Sequence, residues 1–397
     1  MKYLLTGISL AAMLATGVST GAYASDEAHM DQITITGAWR DAAPNKEARE
    51  PRKGRPARDA HPRDVVKREP RDPNVRMLKD DLGQGGANAF VDQIGHDNQV
   101  DIRQGQAGAG AIADVVQRGD DNIANVRQRA AEGAPGDYAV ITTFGSDNQT
   151  IIDQRNNGRG ERANKADIQQ GNDGSGQQIG DAGTVGDENY ALIRQDGWGN
   201  TADINQVERG GTGQRADGNS ATIRQFGALN EGRIDQISDD HMASQVQRGR
   251  RNEASTTQLG SLGSRQGHMS RITQDGRRND ATTVQAGESQ VEETMQVGND
   301  NAAYTNQDGV GNESVTWQMG DRNMASTIQD GEGNDATTSQ IGNDNMAATF
   351  QFGDFNLSAI EQTGNDNVAS VVQNGGDYAN IQQWGGGNIA AVAQGGR

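Results

Sequence analysis

The sequence predicts an all-β fold, a two-sheet cross-β solenoid with 22 residues per rung, built from 11-residue strand-and-turn units. Three observations carry that expectation. Glutamine recurs every eleven residues through an unbroken block of ten, and each is followed two residues later by glycine. Between glutamines, small or β-branched residues alternate with other residues at a period of two, the pattern of a half-buried strand. Hydrophobic residues make up only 32% of the 397 residues, below the roughly 45–50% that ordinary globular domains use. Such a chain folds if each unit stacks on the next and buries a continuous strip.

The chain divides into three parts. Residues 1–24 read as a secretory signal peptide: Met1-Lys2 is a positive start, Leu4 to Val18 is apolar, and Ala22-Tyr23-Ala24 is a small-residue cleavage site. The chain is therefore expected outside the cytoplasm, and with no Cys it forms no disulfide there. Residues 25–82 read as a basic, Pro-rich disordered arm. Between Arg40 and Lys79 stand 13 Lys plus Arg against 7 Asp plus Glu, although the whole chain carries −18, and six of the seven prolines lie there (Pro44, Pro51, Pro56, Pro62, Pro70, Pro73). Such a stretch buries too little to fold and behaves as an extended spacer. Its charge would also attract anionic surface polymers, nucleic acid or lipopolysaccharide. Residues 83–397 are the repeat body, with Pro135 as its one proline. A body so poor in proline needs its backbone N–H groups.

The repeat is read most directly from the C-terminal side. The block is Gln274, Gln285, Gln296, Gln307, Gln318, Gln329, Gln340, Gln351, Gln362 and Gln373. Its glycines are Gly276, Gly287, Gly298, Gly309, Gly320, Gly331, Gly342, Gly353, Gly364 and Gly375. Five residues after most of the glutamines stands Asn279, Asn301, Asn312, Asn323, Asn334, Asn345, Asn356 or Asn367, with Gln290 filling one gap. Upstream, Gln214, Gln225, Gln236, Gln247 and Gln258 keep the frame, as do the pairs Gln93/Gln104, Gln117/Gln128 and Gln195/Gln206. Insertions at 130–137, 181–187 and 261–267 interrupt it, and insertions in stacked repeats map to rung corners. About 26 units fit between Gln93 and Gln394, or about 13 rungs.

In Asn345-Met-Ala347-Ala-Thr349-Phe-Gln351 the named residues share one strand face: an amide, a small residue, a β-branched residue, an amide. The Q-x-G-x-x-N segment between strands supplies the turn, with Gly for a positive φ. One unit reverses the chain and two return it, one strand spacing further along. An unpartnered buried amide costs about 1–3 kcal/mol. In register, each Gln and Asn donates to one neighbouring rung and accepts from the other, as in cross-β amide ladders. The two ends of the stack present unpaired edges, a template for a further copy.

This Gln-Gly-Asn-Ala-Gln unit resembles the repeat of the curlins, the subunits of bacterial curli amyloid fibres. The resemblance covers about three quarters of the chain. It implies a secreted, structural subunit of an extracellular fibre, for adhesion and biofilm matrix. The implied partners are further copies of itself, related curlin subunits, and a curli-type outer-membrane secretion channel with its accessory proteins. Where curlins carry a Gly/Asn-rich export segment, this chain holds Ser25 to Trp39, with Gln32-Ile-Thr-Ile-Thr36 as a short strand candidate. A surface-held nucleator of such fibres and a non-polymerising secreted adhesin solenoid are the alternatives.

No catalytic, metal or cofactor site is expected, nor a small-molecule substrate. The five histidines (His29, His61, His96, His241, His268) are dispersed in sequence, and no nucleophile elbow or phosphate loop occurs. Acids precede the corner amide at Asp97, Asp121, Asp147, Asp300, Asp344 and Asp366. Stacked, they would be solvated turn charges, oxygen ligands for a divalent cation, or like charges that slow premature assembly. Tyr304, Trp317, Phe350 and Phe352 fall on outward positions or turns. A polysaccharide-active β-helix would need wider rungs and a cleft, and an ice-binding solenoid a flat Thr array; neither pattern is present.

Overall fold

Alternation at period two makes each unit a strand with one polar-amide face inward, and glycine ends it before the amide corner. In a computed structural model, residues 87–105, 110–131, 133–157, 162–171, 188–207, 218–260 and 267–395 are described. They form 25 strands and no helix. The signal peptide, the basic arm, the Gln32–Thr36 candidate, residues 181–187 and Gln214 lie outside the described residues.

Odd-numbered strands form one 13-stranded sheet: β1 (Asn88–Ile94), β3 (Ile112–Arg118), β5 (Tyr138–Phe144), β7 (Lys165–Gln170), β9 (Thr201–Val207), β11 (Glu231–Ile237), β13 (Glu253–Gly260), β15 (Asp280–Glu288), β17 (Ala302–Val310), β19 (Met324–Glu332), β21 (Met346–Phe352), β23 (Val368–Asn374) and β25 (Ile389–Ala393). Even-numbered strands form a 12-stranded sheet: β2 (Gln99–Gly105), β4 (Ile123–Ala130), β6 (Gln149–Asn156), β8 (Tyr190–Trp198), β10 (Ser220–Ala228), β12 (Met242–Arg250), β14 (Met269–Arg277), β16 (Val291–Asn299), β18 (Glu313–Met319), β20 (Asp335–Ile341), β22 (Leu357–Asn365) and β24 (Tyr378–Gly386). The chain alternates between the sheets, and every neighbouring pair is parallel: a two-sheet β-solenoid. At about 4.8 Å per strand the stack runs for roughly 60 Å.

Register holds Gln over Gln and Gly over Gly, as in Gln307↔Gln329 and Gly309↔Gly331. Insertions between strands do not shift it. Residues 172–187 separate β7 from β8, and Gln154 still pairs with Gln195. Such insertions explain why the length estimate of about 26 units exceeds the strands found. Gln206 on β9 and Gln225 on β10 lie on successive strands, one in each ladder, with Gln214 between them outside the described residues.

Between the sheets the β-branched column changes character along the axis. Near the start it is Val and Ile, including Val115, Ile141, Ile168, Ile193, Ile223 and Ile234, all fully buried. In the middle it is mostly Thr, with Ile272 an exception: Thr256, Thr305, Thr327 and Thr349 in one sheet and Thr294, Thr316 and Thr338 in the other. Aliphatics return at Ile360, Val371 and Ile381. Both residue types are β-branched and fit the pleat, so the polar middle is held in register chiefly by hydrogen bonds.

Candidate functional site: amide ladders and stack ends

The glutamines every eleven residues sort into two ladders, because alternate members lie in opposite sheets. In the 12-stranded sheet Gln274, Gln296, Gln318, Gln340, Gln362 and Gln383 are linked Nε2 to Oε1 at 2.8–2.9 Å. In the 13-stranded sheet Gln285, Gln307, Gln329, Gln351, Gln373 and Gln394 are linked likewise at 2.8–3.2 Å. The second proton of each Nε2 goes to a backbone carbonyl, as from Gln329 to Glu313 at 2.8 Å. Every link points the same way: the rung nearer the N-terminus donates.

The corner asparagines form ladders of opposite polarity. At one corner Asn323 donates to Asn301 Oδ1, Asn345 to Asn323 and Asn367 to Asn345, through both the backbone N–H and Nδ2, at 3.0–3.1 Å. At the other corner Asn334 N donates to Asn312 Oδ1 at 2.9 Å and Asn356 Nδ2 to Asn334 Oδ1 at 2.8 Å. Most Nδ2 groups also reach the carbonyl of a turn glycine one rung on: Asn301 to Gly320, Asn323 to Gly342, Asn334 to Gly353 and Asn345 to Gly364, all at 2.8 Å, whereas Asn356 turns to Phe352 O at 2.9 Å. The glycines are required by both dihedral and space. Gly298, Gly309, Gly320, Gly331, Gly342 and Gly364 have φ between 111° and 135°, and a Cβ at any of them would overlap the carbonyl of the glycine stacked on it. Gly353 has φ 75° and more room.

Two breaks in the ladders are informative. Thr143 stands where the 13-stranded sheet calls for Gln, between Gln117 and Gln170, and is too short to reach either. Gln117 Nε2, Gln170 Oε1 and Thr143 Oγ1 are all buried without partners. Thr143→Gln is therefore expected to stabilise the fold by about 1–3 kcal/mol, read as a higher denaturation midpoint; no gain would show that the ladder adds nothing there. Gln290 shows the converse, a side chain one methylene too long for its corner, whose Oε1 is left unpartnered.

The histidines that are dispersed in sequence are not all dispersed in space. His241 and His268 occupy successive corner positions in place of Asn, with rings stacked 4.9 Å apart. They stand 27 residues apart in sequence, and residues 261–266, which lie between them, are outside the described residues. Each ring copies the amide. Nε2 meets a carbonyl, of Ile237 at 3.0 Å or Leu259 at 3.1 Å, and Nδ1 accepts the next rung's N–H, of His268 at 3.0 Å or Gln290 at 3.2 Å. Burial pushes His241 down to about 3 and lowers His268 as well. The alignment of His241-Met-Ala243 and His268-Met-Ser270 with Asn-x-Ala is the signal that would have found them.

Glu292 is the other group that the repeat hides. It takes the small-residue position on β16, fully buried, and accepts hydrogen bonds from Ser270 at 2.7 Å and Thr294 at 2.5 Å. Burial pushes it up to about 7. The pair and the glutamate give opposite pH slopes. Between pH 6.5 and about 3 the unfolded chain binds a proton that folded His241 does not, so stability falls as pH drops, by up to about 1.4 kcal/mol per unit. Between pH 4.5 and about 7 folded Glu292 holds a proton that the unfolded chain has lost, so stability falls as pH rises. His241→Asn should flatten the first slope and Glu292→Gln the second in denaturation midpoints against pH; unchanged slopes would contradict the assignment.

The turn acids are placed by backbone geometry. Asp97, Asp121, Asp147, Asp300, Asp344 and Asp366 all have φ between 52° and 58°, a region that Asp tolerates better than most side chains. At one corner they are not a column of like charges. Arg278 alternates with Asp300 and Arg322 with Asp344, the latter bidentate at 2.7 and 2.6 Å, and these arginines hold both carboxyls below their ordinary values. Among the described residues no group of three or more His, Cys, Asp or Glu is placed to hold a metal ion. Trp317 and Phe352 are exposed, and Tyr304 and Phe350 line an outward groove around Ser326.

At the ends the ladders stop with unused groups of complementary sign. The C-terminal end offers Gln383 and Gln394 Nε2 protons, with Trp384 and Ile389 about two-thirds exposed beside them. The N-terminal end of the described stack offers the Oε1 atoms of Gln93 and Gln104, which among the described residues only donate to the rung above. Donor faces acceptor only when one copy's start meets another's end.

No curated protein matches the chain. Residues 320–348 and 342–375, which span the regular rungs from Gly320 to Gly375, match the curlin associated repeat, so in this part of the solenoid the chain carries repeats similar to those of the curlin family.

Proposed function

We propose that this chain is the structural subunit of an extracellular, curli-like amyloid fibre, self-assembling end to end by templating of its amide-laddered rungs, and serving adhesion and biofilm matrix. The observation that supports it most is the pair of complementary ends: two open sheet edges with in-register amide donors at one end and acceptors at the other. An exposed edge of this kind recruits another strand, and its ladder polarity selects head-to-tail addition. Partners under this reading are further copies, related curlin subunits, and a curli-type outer-membrane channel with its accessory proteins. Residues 1–24 act as the export signal, residues 25–82 as a basic arm able to meet anionic surface polymers, and residues 83–397 as the polymerising body. In a bacterial host that makes no fibres of its own, exporting the chain is expected to produce surface fibres visible by electron microscopy and to increase retention of cells on a solid surface. Export without either would overturn the reading.

A further inference from the structure

The two outer faces of the solenoid carry opposite charge along the same rungs. On the 12-stranded sheet, β8, β10, β12 and β14 turn six Arg outward against two Asp. On the 13-stranded sheet, β7, β9, β11 and β13 turn five Asp or Glu outward against one Lys and one Arg. Core glutamines tie the two sets together rung by rung. Gln195 donates to Lys165 O, Gln225 to Thr201 O and Gln247 to Glu231 O, each at 2.8 Å.

Much of this charge is not neutralised within its own face. Arg233 is held by Asp235 at 2.7 Å, and Asp196 lies 3.8 Å from Arg155. Among the described residues, Arg194, Arg224 and Arg248 form no ion pair, and neither do Asp167, Asp203 and Glu231. Like charges instead stand side by side on neighbouring strands: Arg194 with Arg224 and Arg250 with Arg277 on one face, Asp167 with Asp203 and Glu231 with Glu253 on the other. Such neighbours repel. Arg194 and Arg248 both lie against the Phe226 ring, 5.8 and 5.9 Å from its centroid, which holds them over the sheet. A free polyanion would cover the basic face and leave the acidic face without a partner, whereas a second copy covers both.

The glutamine bonds also fix which columns lie over which. Lys165, Thr201 and Glu231 sit across the core from a glutamine, so they share a sheet normal with the outward neighbours of those glutamines, Asp196, Phe226 and Arg248. A second copy displaced along that normal, without rotation or axial shift, brings Lys165 over Asp196, Asp167 over Arg194, Asp203 over Arg224 and Glu231 over Arg248. One like-charged pair arises, Glu253 over Asp275, and Asp275 has Arg248 beside it in register and Arg277 two residues on. Sheets stack about 10 Å apart, a gap that an arginine and a carboxylate span end to end. We propose that the basic outer face of the 12-stranded sheet docks the acidic outer face of the 13-stranded sheet of a second copy, bundling filaments side by side. Two different faces meet, so the contact repeats without closing. On filaments of the polymer reading, on which the inference rests, it recurs once per copy, and exposed pairs that are weak singly add as avidity.

The test uses the chain from Ser25 to Arg397, elongated from seeds and then examined by electron microscopy and low-speed sedimentation. Bundles are expected at about 0.01 M salt and single filaments at about 1 M, where the screening length is about 3 Å. Arg194→Glu, Arg224→Glu and Arg248→Glu together make both faces acidic; Asp167→Lys, Asp203→Lys and Glu231→Lys together make both basic. Either triple alone should cut the sedimented bundles at low salt at least about tenfold, and mixing preformed filaments of the two should restore them. Elongation from seeds should stay within about twofold of the parent, because these side chains face water. A triple that elongates poorly is replaced by its Gln or Asn counterpart at the same three positions, for which retained bundling counts against the docking in the same way. Bundling left intact by either triple, or not restored by mixing, would overturn the proposal. So would parent filaments that stay single at low salt while taking up polyphosphate. Failure of the parent chain to elongate seeds at all would instead overturn the polymer reading, and the bundling with it.

Discussion

Replacing Gln329, Gln351 and Gln373 together with Leu is expected to slow seeded elongation at least about tenfold, while Leu at the outward positions Asn306, Ser339 and Gln382 changes it less than about twofold. The three inward glutamines are consecutive members of one ladder. Three stacked leucines satisfy one another, so the cost falls at the borders and on the backbone. Gln307 Nε2 loses its acceptor, Gln394 Oε1 loses its donor, and the carbonyls of Glu313, Asp335 and Leu357 each lose an amide proton. Each buried group left unpaired costs about 1–3 kcal/mol, and about 1.4 kcal/mol is a factor of ten. Outward residues have water as an alternative partner, so their replacement leaves nothing stranded. Equal slowing by both sets would show that side-chain ladders do not govern addition.

Gly331→Ala is expected to cost at least about 3 kcal/mol, the larger part of many single-domain stabilities. Gly331 has φ 135°, which alanine adopts only with strain, and its Cβ would overlap the carbonyl of Gly353. That carbonyl accepts the Asn334 amide, so moving it also opens the corner ladder. Gly376→Ala is the control. Its φ of 66° is milder and nothing lies within 4 Å of the added carbon, so a loss of only about 1–2 kcal/mol is expected. The difference would be read as at least about a tenfold larger concentration of monomer left at the end of assembly. Similar losses at both sites would mean that close stacking of glycine corners is not what fixes these residues.

The fold was legible because its grammar is short. Gln, Gly and Asn at fixed offsets prescribe strand, turn and corner, and the period of two assigns each side chain to a face. Alternate glutamines fall into separate ladders for the same reason. What the sequence concealed were the substitutions that preserve geometry while changing chemistry. His241 and His268 imitate a corner amide, so a reading by residue type separates them and a reading by frame position unites them. Glu292 hides in the small-residue column because its neighbours are Ser and Thr able to donate to it. Gln214 fits the eleven-residue count but lies outside the described residues, while Gln195 bonds directly to Gln225 and Gln206 to Gln236. The alternation of Arg with Asp at one corner also escaped a search for acids alone, since charge pairing between rungs appears only when positions 22 residues apart are compared.

The most direct measurement is dilution of the denatured chain into buffer with and without sheared preformed fibres, followed by thioflavin T fluorescence and finished by fibre diffraction. End-to-end templating predicts a lag that seeds abolish, with reflections near about 4.7 Å and about 10 Å. A soluble β-rich monomer that ignores the seeds would contradict it.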